Sequence, residues 1–232
     1  LAKTGESESL LTGSTLQNLQ TVSLTDALAL TPGITVDRAG GLGQPTPISI
    51  RGAETGQTVV LIDGVRINDP SSTDDGAILG DVLVNNVDRV EVLRGPQSTL
   101  YGSDAIGGVV NIITKRGGGS PFGLTATAEG GSFDTYHFNA AANGTLDDVD
   151  YGLSANYIHS NDISAADSHN ANPETDGYGN FGLAGSARWH VLDNISVDLR
   201  SYYTSARDDF DDNFPPPDYT VADSAAYNTN RL

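Results

Sequence analysis

Acidic side chains are the residues of this chain best suited to bind something. Asp162, Asp167, Glu174 and Asp176 fall in one polar stretch, and Asp208, Asp209, Asp211 and Asp212 in another. If both stretches are loops on adjacent strand pairs, they are neighbours in space. Hard oxygen ligands on flexible loops are what Ca2+ takes, so Glu174, Asp176, Asp208, Asp209 and Asp211 are candidate calcium ligands. The competing expectation is ordinary solvated charge. Thiolate metal chemistry is closed, because Cys is absent, and the four His at 137, 159, 169 and 190 are scattered. Catalysis finds no footing: Gly-x-Ser-x-Gly, a phosphate-binding Gly-Lys-Ser/Thr loop and His-Glu-x-x-His are all missing. Gly41-Leu42-Gly43-Gln44-Pro45-Thr46 lacks the third glycine of a dinucleotide loop. An enzyme is not expected, and no cofactor is required.

The charge narrows the partners. The 232 residues carry a formal charge of −18, unevenly: 13 acids and 8 bases up to residue 116, then 17 acids and 4 bases. Such a chain is repelled by nucleic acid, so no nucleic-acid partner is expected. No run of about 18 apolar residues exists, which excludes a transmembrane helix. It does not exclude membrane strands, whose signal is weaker.

Two grammars divide the sequence. In the first half, Ser23 is a helix N-cap with Asp26 three residues on, and Thr31-Pro32-Gly33 stops the helix. Short strands follow at 34–36, 48–52 and 59–64, the last ending in the Asp63-Gly64 turn. Residues 77–84 read as a short helix or turn. Val90–Leu93 forms another strand, broken by Arg94-Gly95-Pro96, and Val109–Thr114 a further one after Gly107-Gly108.

The second half alternates with period two. Tyr151, Leu153, Ala155 and Tyr157 are separated by Gly152, Ser154 and Asn156. Phe181, Leu183, Ala187 and Trp189 repeat the pattern, with Arg188 and His190 on the opposite register, and so do Ile195, Val197 and Leu199. Residues 122–129 and 136–143 show weaker versions. Two-faced strands fit a sandwich or a barrel. Three details favour a membrane barrel: segments near ten residues, aromatics at segment ends, and short turns (143–150, 192–194) alternating with long acidic loops (161–177, 207–225). About five strands and the start of a sixth at 225–232 are expected.

Residues 10–117 resemble the plug domain of TonB-dependent outer-membrane transporters. The resemblance rests on Leu24-x-x-Ala27-Leu28-x-x-x-Pro32-Gly33, Ile50-Arg51-Gly52, Val60-Leu61-Ile62-Asp63-Gly64-Val65, Val92-Leu93-Arg94-Gly95-Pro96 and Tyr101-Gly102-Ser103-Asp104-Ala105-Ile106-Gly107-Gly108, in that order. Within the family the chain is most similar to the vitamin B12 receptors. The fold implied is an α+β plug over 1–117, followed over 118–232 by the first antiparallel strands of a transmembrane β-barrel, 22-stranded when complete. Five strands cannot close a barrel, so the chain is expected to be a piece of a longer transporter. The TonB box is expected upstream of Leu1.

The function implied is TonB-dependent uptake of a large, scarce nutrient across the bacterial outer membrane, cobalamin first, with an iron–siderophore or haem as the alternative. The partners implied are TonB, the ligand and outer-membrane lipid. A secreted or surface β-rich binding module is the rival from another class. By position, loops 38–47 and 66–76 match the plug's ligand-facing loops, which makes Gln44, Asn68 and Ser71 candidate ligand contacts. The resemblance also makes Arg51 and Arg94 candidates for ionic contacts between plug and barrel wall. It supports calcium, because Glu174-Thr175-Asp176-Gly177-Tyr178 is similar to the calcium-binding loops of vitamin B12 receptors.

Overall fold

The computed structural model describes residues 7–38, 40–73, 75–77, 79–117, 121–161, 176–192, 194–213 and 221–231, the stretches 210–213 and 221–231 as backbone only. Contacts divide the chain into two units. One comprises Leu1–Ala39 and Pro45–Lys115, and the other comprises Gly40–Gln44 and Arg116–Leu232.

The first unit opens with β1 (Ser7–Thr12), α1 (Gly13–Leu19), α2 (Leu24–Ala29), β2 (Ile34–Val36) and β3 (Ile48–Ile50). β4 (Thr58–Ile62), β5 (Val65–Arg66), β6 (Val87–Arg94), α3 (Ser98–Tyr101) and β7 (Gly108–Thr114) complete it. The main sheet runs β1-β6-β7-β4-β5, with β4 and β7 parallel, and β2 pairs with β3 separately. Ser23 caps α2 by accepting a hydrogen bond from the Thr25 N–H. Arg38 then reaches back to that first turn, donating to Asp26 at 2.6 Å and to Thr25 at 2.9 Å. One face of the sheet supplies Val60, Ile62, Val90, Val92, Val110 and Ile112 to a core shared with Leu24, Leu28, Ile34 and Ile50. The opposite face buries the smaller cluster Val59, Leu61, Ala105 and Val109. The near-continuous apolar run of β4 follows from this burial on both sides.

β1 and α1 carry no expectation from the sequence. Ser7–Thr12 is two-thirds polar and does not alternate. It becomes a strand because it lies on the edge of β6, with Ser7 opposite Arg94 and Leu11 opposite Val90.

The second unit is an antiparallel sheet, β13-β12-β11-β10-β9-β8. Its strands are β8 (Gly123–Gly130), β9 (Tyr136–Leu146), β10 (Val149–Ser160), β11 (Tyr178–Leu192), β12 (Ile195–Asn213) and β13 (Val221–Arg231). The registers stack side chains into rows. Phe138, Tyr157 and Phe181 lie side by side, as do Ala140, Ala155 and Leu183, then Ala142, Leu153 and Gly185. Trp189 lies beside Val197. All belong to one apolar face, on which Leu153 is 63% and Leu199 70% exposed. From Phe181 to Trp189 this face covers about 26 Å of strand, or roughly 20 Å of height at a tilt near 40°.

The other face is polar. Asp198 accepts from Arg188 and Arg200, and Asp150 meets His190 Nε2 at 3.0 Å and Thr145 Oγ1 at 2.7 Å. Arg188 and His190 thus lie where their register put them.

Two loop boundaries are corrected. The turn expected over 143–150 shrinks to Asp147-Asp148, because the β9–β10 ladder runs on to Leu146 and Val149. The acidic stretch after 207 is not all loop: β12 continues to Asn213, paired with β13 from Val221. Charge hid this strand, because strand pairing needs only backbone groups and needs no apolar face where the strand lies in water.

Candidate functional site

The loop Gly40–Gln44 groups with the strand ends beside which it lies. Gln44 folds over Gly40, where a Cβ would stand 2.9 Å from its Cγ. Gly43 adopts φ +83° and lies flat on the Tyr178 ring. A Cβ there would fall 2.4 Å from Tyr178 Cε2 and 3.4 Å from Asp208 Cγ. Tyr178 opens β11 and is fully buried, with the Asn180 side-chain amide donating to its hydroxyl at 2.7 Å. Asp208, 5% exposed, stands directly opposite Tyr178 in the β11–β12 register. Gly43, Tyr178 and Asp208 therefore pack together at the Tyr178 end of β11, with Gln44 next to Gly43 in the chain. Of these side chains the half-buried Gln44 amide can meet a polar ligand edge, whereas the Tyr178 ring and Asp208 are buried beneath the loop.

The candidate calcium ligands do not all share this cluster. Successive strand residues face opposite sides, so Asp208 and Asp209 diverge. Asp208 faces Gly43, whereas Asp209 pairs with Arg207 at 2.9 Å. One ion cannot be chelated by both side chains. Asp176 immediately precedes Gly177, whose carbonyl accepts from the Asp209 N–H at 2.9 Å. Glu174 lies outside the described residues, as does the side chain of Asp211. Among the described residues no three acidic or His side chains converge on a metal-sized site.

The 66–76 loop belongs to the first unit and is built on Asn68. That residue is 7% exposed and its side chain is a clamp: Oδ1 accepts from the Val60 N–H at 3.0 Å, while Nδ2 donates to Thr58 O at 3.0 Å and Asp75 O at 2.9 Å. Both amide protons are used, so the expectation of a ligand contact is corrected here to a structural anchor. Ser71 stays exposed. Its N–H and hydroxyl both donate to Asp69 Oδ1, at 2.8 and 2.6 Å, an Asx turn that holds the Asp69 carboxyl below its ordinary range. Arg66, which sequence reasoning missed, bridges this loop to the Tyr101–Gly108 segment. Its guanidinium donates to Asp104 at 2.7 Å and also to Asp75, and its bond to Asp104 keeps that carboxyl low. No local pattern in the sequence marks a pair 38 residues apart.

Arg51 and Arg94 were expected to make ionic contacts. Among the described residues neither forms an ion pair. Arg51 is exposed at φ +54°, its N–H donating to Gly33 O at 2.9 Å. Arg94 is 8% exposed and donates to Ser9 Oγ at 2.6 Å and Ser7 Oγ at 3.5 Å. Its partners are the hydroxyls of β1 in its own unit, because the β1–β6 register sets Ser7 directly across from it.

The model of the TonB-dependent receptor plug domain matches residues 1–109. The chain is also 31% identical over 231 residues to the vitamin B12 transporter BtuB of Photobacterium profundum. Residues 1–109 thus match the plug domain of TonB-dependent receptors, and the chain as a whole is similar to a member of that family. Among solved structures it is similar to the pyoverdine outer membrane receptor FpvA of Pseudomonas aeruginosa PAO1, with a TM-score of 0.73 and 20% identity over 88% of this chain and 28% of that one. It is similar also to the siderophore receptor PirA of Acinetobacter baumannii, with a TM-score of 0.62 and 26% identity over 87% of this chain and 31% of that one. The match to BtuB covers 97% of this chain and 38% of the relative. The fold is thus that of a TonB-dependent receptor plug followed by antiparallel barrel strands.

Proposed function

We propose that this chain is the plug and first barrel wall of an outer-membrane transporter that takes up cobalamin with energy delivered through TonB. The single observation that carries the transport reading is the joining of a TonB-dependent receptor plug to a sheet with one apolar and one polar face. An apolar face of roughly 20 Å suits a bilayer core spanned by tilted strands. In lipid, β8 and β13 require further strands to pair their free edges. Cobalamin is preferred because the identity to a vitamin B12 transporter runs through nearly the whole chain. A ferric siderophore is the second reading, supported by the 26% identity to a siderophore receptor.

In this account Gln44 is a ligand contact on the second unit, and the exposed Ser71 a separate candidate on the first, where Asn68 holds its loop in place. Gly43→Val tests the placement. The new side chain cannot occupy the space of the Tyr178 ring, so the loop must leave it. Cyanocobalamin titrated against the full-length receptor should bind at least about tenfold more weakly, a loss near 1.4 kcal/mol. Unchanged affinity would remove the Gly40–Gln44 loop from the ligand site.

Calcium is proposed for Asp176 and Asp208 together with Glu174, leaving Asp209 to Arg207. Calorimetry on the full-length receptor should show Ca2+ binding that Asp208→Asn weakens and Asp209→Asn leaves intact. Equal losses from both variants, or no heat at all, would defeat this assignment.

A further inference from the structure

The loop of residues 66–76 is shaped from within and placed from outside. Within it, Asp69 gathers Ser71 and Ser72 into its turn, and Asn68 clamps the base to Thr58 and Val60 of β4. The returning limb closes through the Asp69 N–H on Gly76 O at 2.9 Å and the Asp75 N–H on Ser72 O at 3.4 Å, with Asp75 at φ +48°. All these bonds stay within residues 58–77. They fix the form of the loop on its own hairpin.

Arg66 ties the loop to a different segment. Its Nη2 donates to Asp75 on the returning limb, and its Nη1 donates at 2.7 Å to Asp104, 38 residues on. Asp104 accepts from the Ser103 hydroxyl at 2.9 Å, and the backbone around it is laced to neighbouring elements. The Gln97 N–H meets Ala105 O at 2.8 Å, the Gly95 N–H meets Gly107 O at 3.0 Å, and the Gly107 N–H meets Gln57 O at 2.9 Å. Asp104 is therefore a fixed post. The side chains of Arg66, Asp75 and Asp104 are 35%, 37% and 39% exposed. Ion pairs this open to water add little to stability, which is a poor reason for holding two of them on one guanidinium. A planar fork with a carboxylate on each prong does fix direction.

We propose that Arg66 is a positioning residue for ligand capture, holding the exposed Ser71 tip in one orientation by gripping the loop through Asp75 and the 101–108 segment through Asp104. The proposal rests on the reading that Ser71 meets the ligand. Without the grip the tip keeps its Asx turn but wanders with its hairpin. Binding then has to order the loop as well as make its contacts, and affinity falls. Lys cannot take over the role, because one ammonium on a flexible stem lacks the fork that serves both carboxylates.

The test is titration of the full-length receptor with cyanocobalamin. Arg66→Gln and Asp104→Asn should each weaken binding about tenfold, and the double variant should bind no more weakly than Arg66→Gln, because both changes remove one tie. Arg66→Lys should not restore the wild-type affinity. A spin label on Thr73→Cys, an exposed position in the loop, separates positioning from stability. Its spectrum without ligand should sharpen in Arg66→Gln and in Asp104→Asn, while proteolysis within residues 7–115 stays as slow as in the wild type. Unchanged affinity, an unchanged spectrum, additive losses, recovery in Arg66→Lys, or faster proteolysis of both variants would overturn the proposal. Ser71→Trp tests the reading beneath it. Weakened binding in Ser71→Trp with Arg66→Gln like the wild type leaves the tip at the ligand and refutes the grip. Loss in Arg66→Gln without loss in Ser71→Trp places the effect of Arg66 elsewhere and overturns the proposal. Indifference to both removes the tip from the ligand site and the grip with it.

Discussion

Gly108→Ala should destabilise the first unit by about 3 kcal/mol or more, from a methyl group with no room and a backbone that resists it. Gly108 begins β7 at φ +150°, directly against β6. A Cβ there would stand 2.3 Å from Leu93 O and 2.9 Å from Ile50 Cδ1, an atom of the fully buried core. Neither neighbour can retreat. The Leu93 carbonyl belongs to the β6 backbone, and Ile50 packs among α2, β2 and the main sheet. A loss of this size is a large part of a domain's usual 5–15 kcal/mol. Limited proteolysis of the full-length receptor is the measurement. Cleavage within residues 7–115 should accelerate sharply in Gly108→Ala and stay unchanged in Ser103→Ala, an exposed position nearby. Equal resistance of the two variants would contradict the packing described.

Leu153→Arg should largely prevent assembly into the membrane. Leu153 sits in the middle row of the apolar face, between Ala142 and Gly185. A cation at the midplane on the lipid side of a membrane strand costs about 2–4 kcal/mol. Ser196→Arg supplies the comparison, because residue 196 lies on the polar face beside His190. Heat-modifiable gel mobility of the full-length receptor in isolated outer membranes should show little folded Leu153→Arg and near-normal Ser196→Arg. The reverse order would assign the faces the other way round.

Local signals accounted for the short elements of the plug, because each is bounded by a cap or a breaker. Ser23 ahead of α2, Asp63-Gly64 after β4 and Gly95-Pro96 after β6 act within a few residues of themselves. Period two was legible wherever the apolar face is continuous, as in β10 and β11. It failed at Asp208–Asn213, where the strand is held by pairing with β13 and carries no apolar face. β1 was silent for a related reason: its place on β6 and its hydroxyls on Arg94 are contacts across more than 80 residues.

The candidate site was legible as loops and not as roles. Composition marked 38–47 and 66–76 as polar turns, but burial alone separates Asn68, a clamp, from Ser71, an exposed tip. Asp208 and Asp209 look alike in sequence, and strand parity sends them to opposite faces. Gly43 is, in the sequence, one glycine among several in its loop. Its meaning comes from Tyr178, 135 residues away, whose ring takes the space a side chain would need.

The central claim is energised uptake of cobalamin, and the most direct measurement is accumulation of labelled cobalamin by cells carrying or lacking the full-length gene, each with TonB present and deleted. Accumulation that needs both the gene and TonB is predicted, with uptake of labelled ferric siderophore unchanged by the presence or absence of the gene. Cobalamin uptake independent of either component would contradict the account.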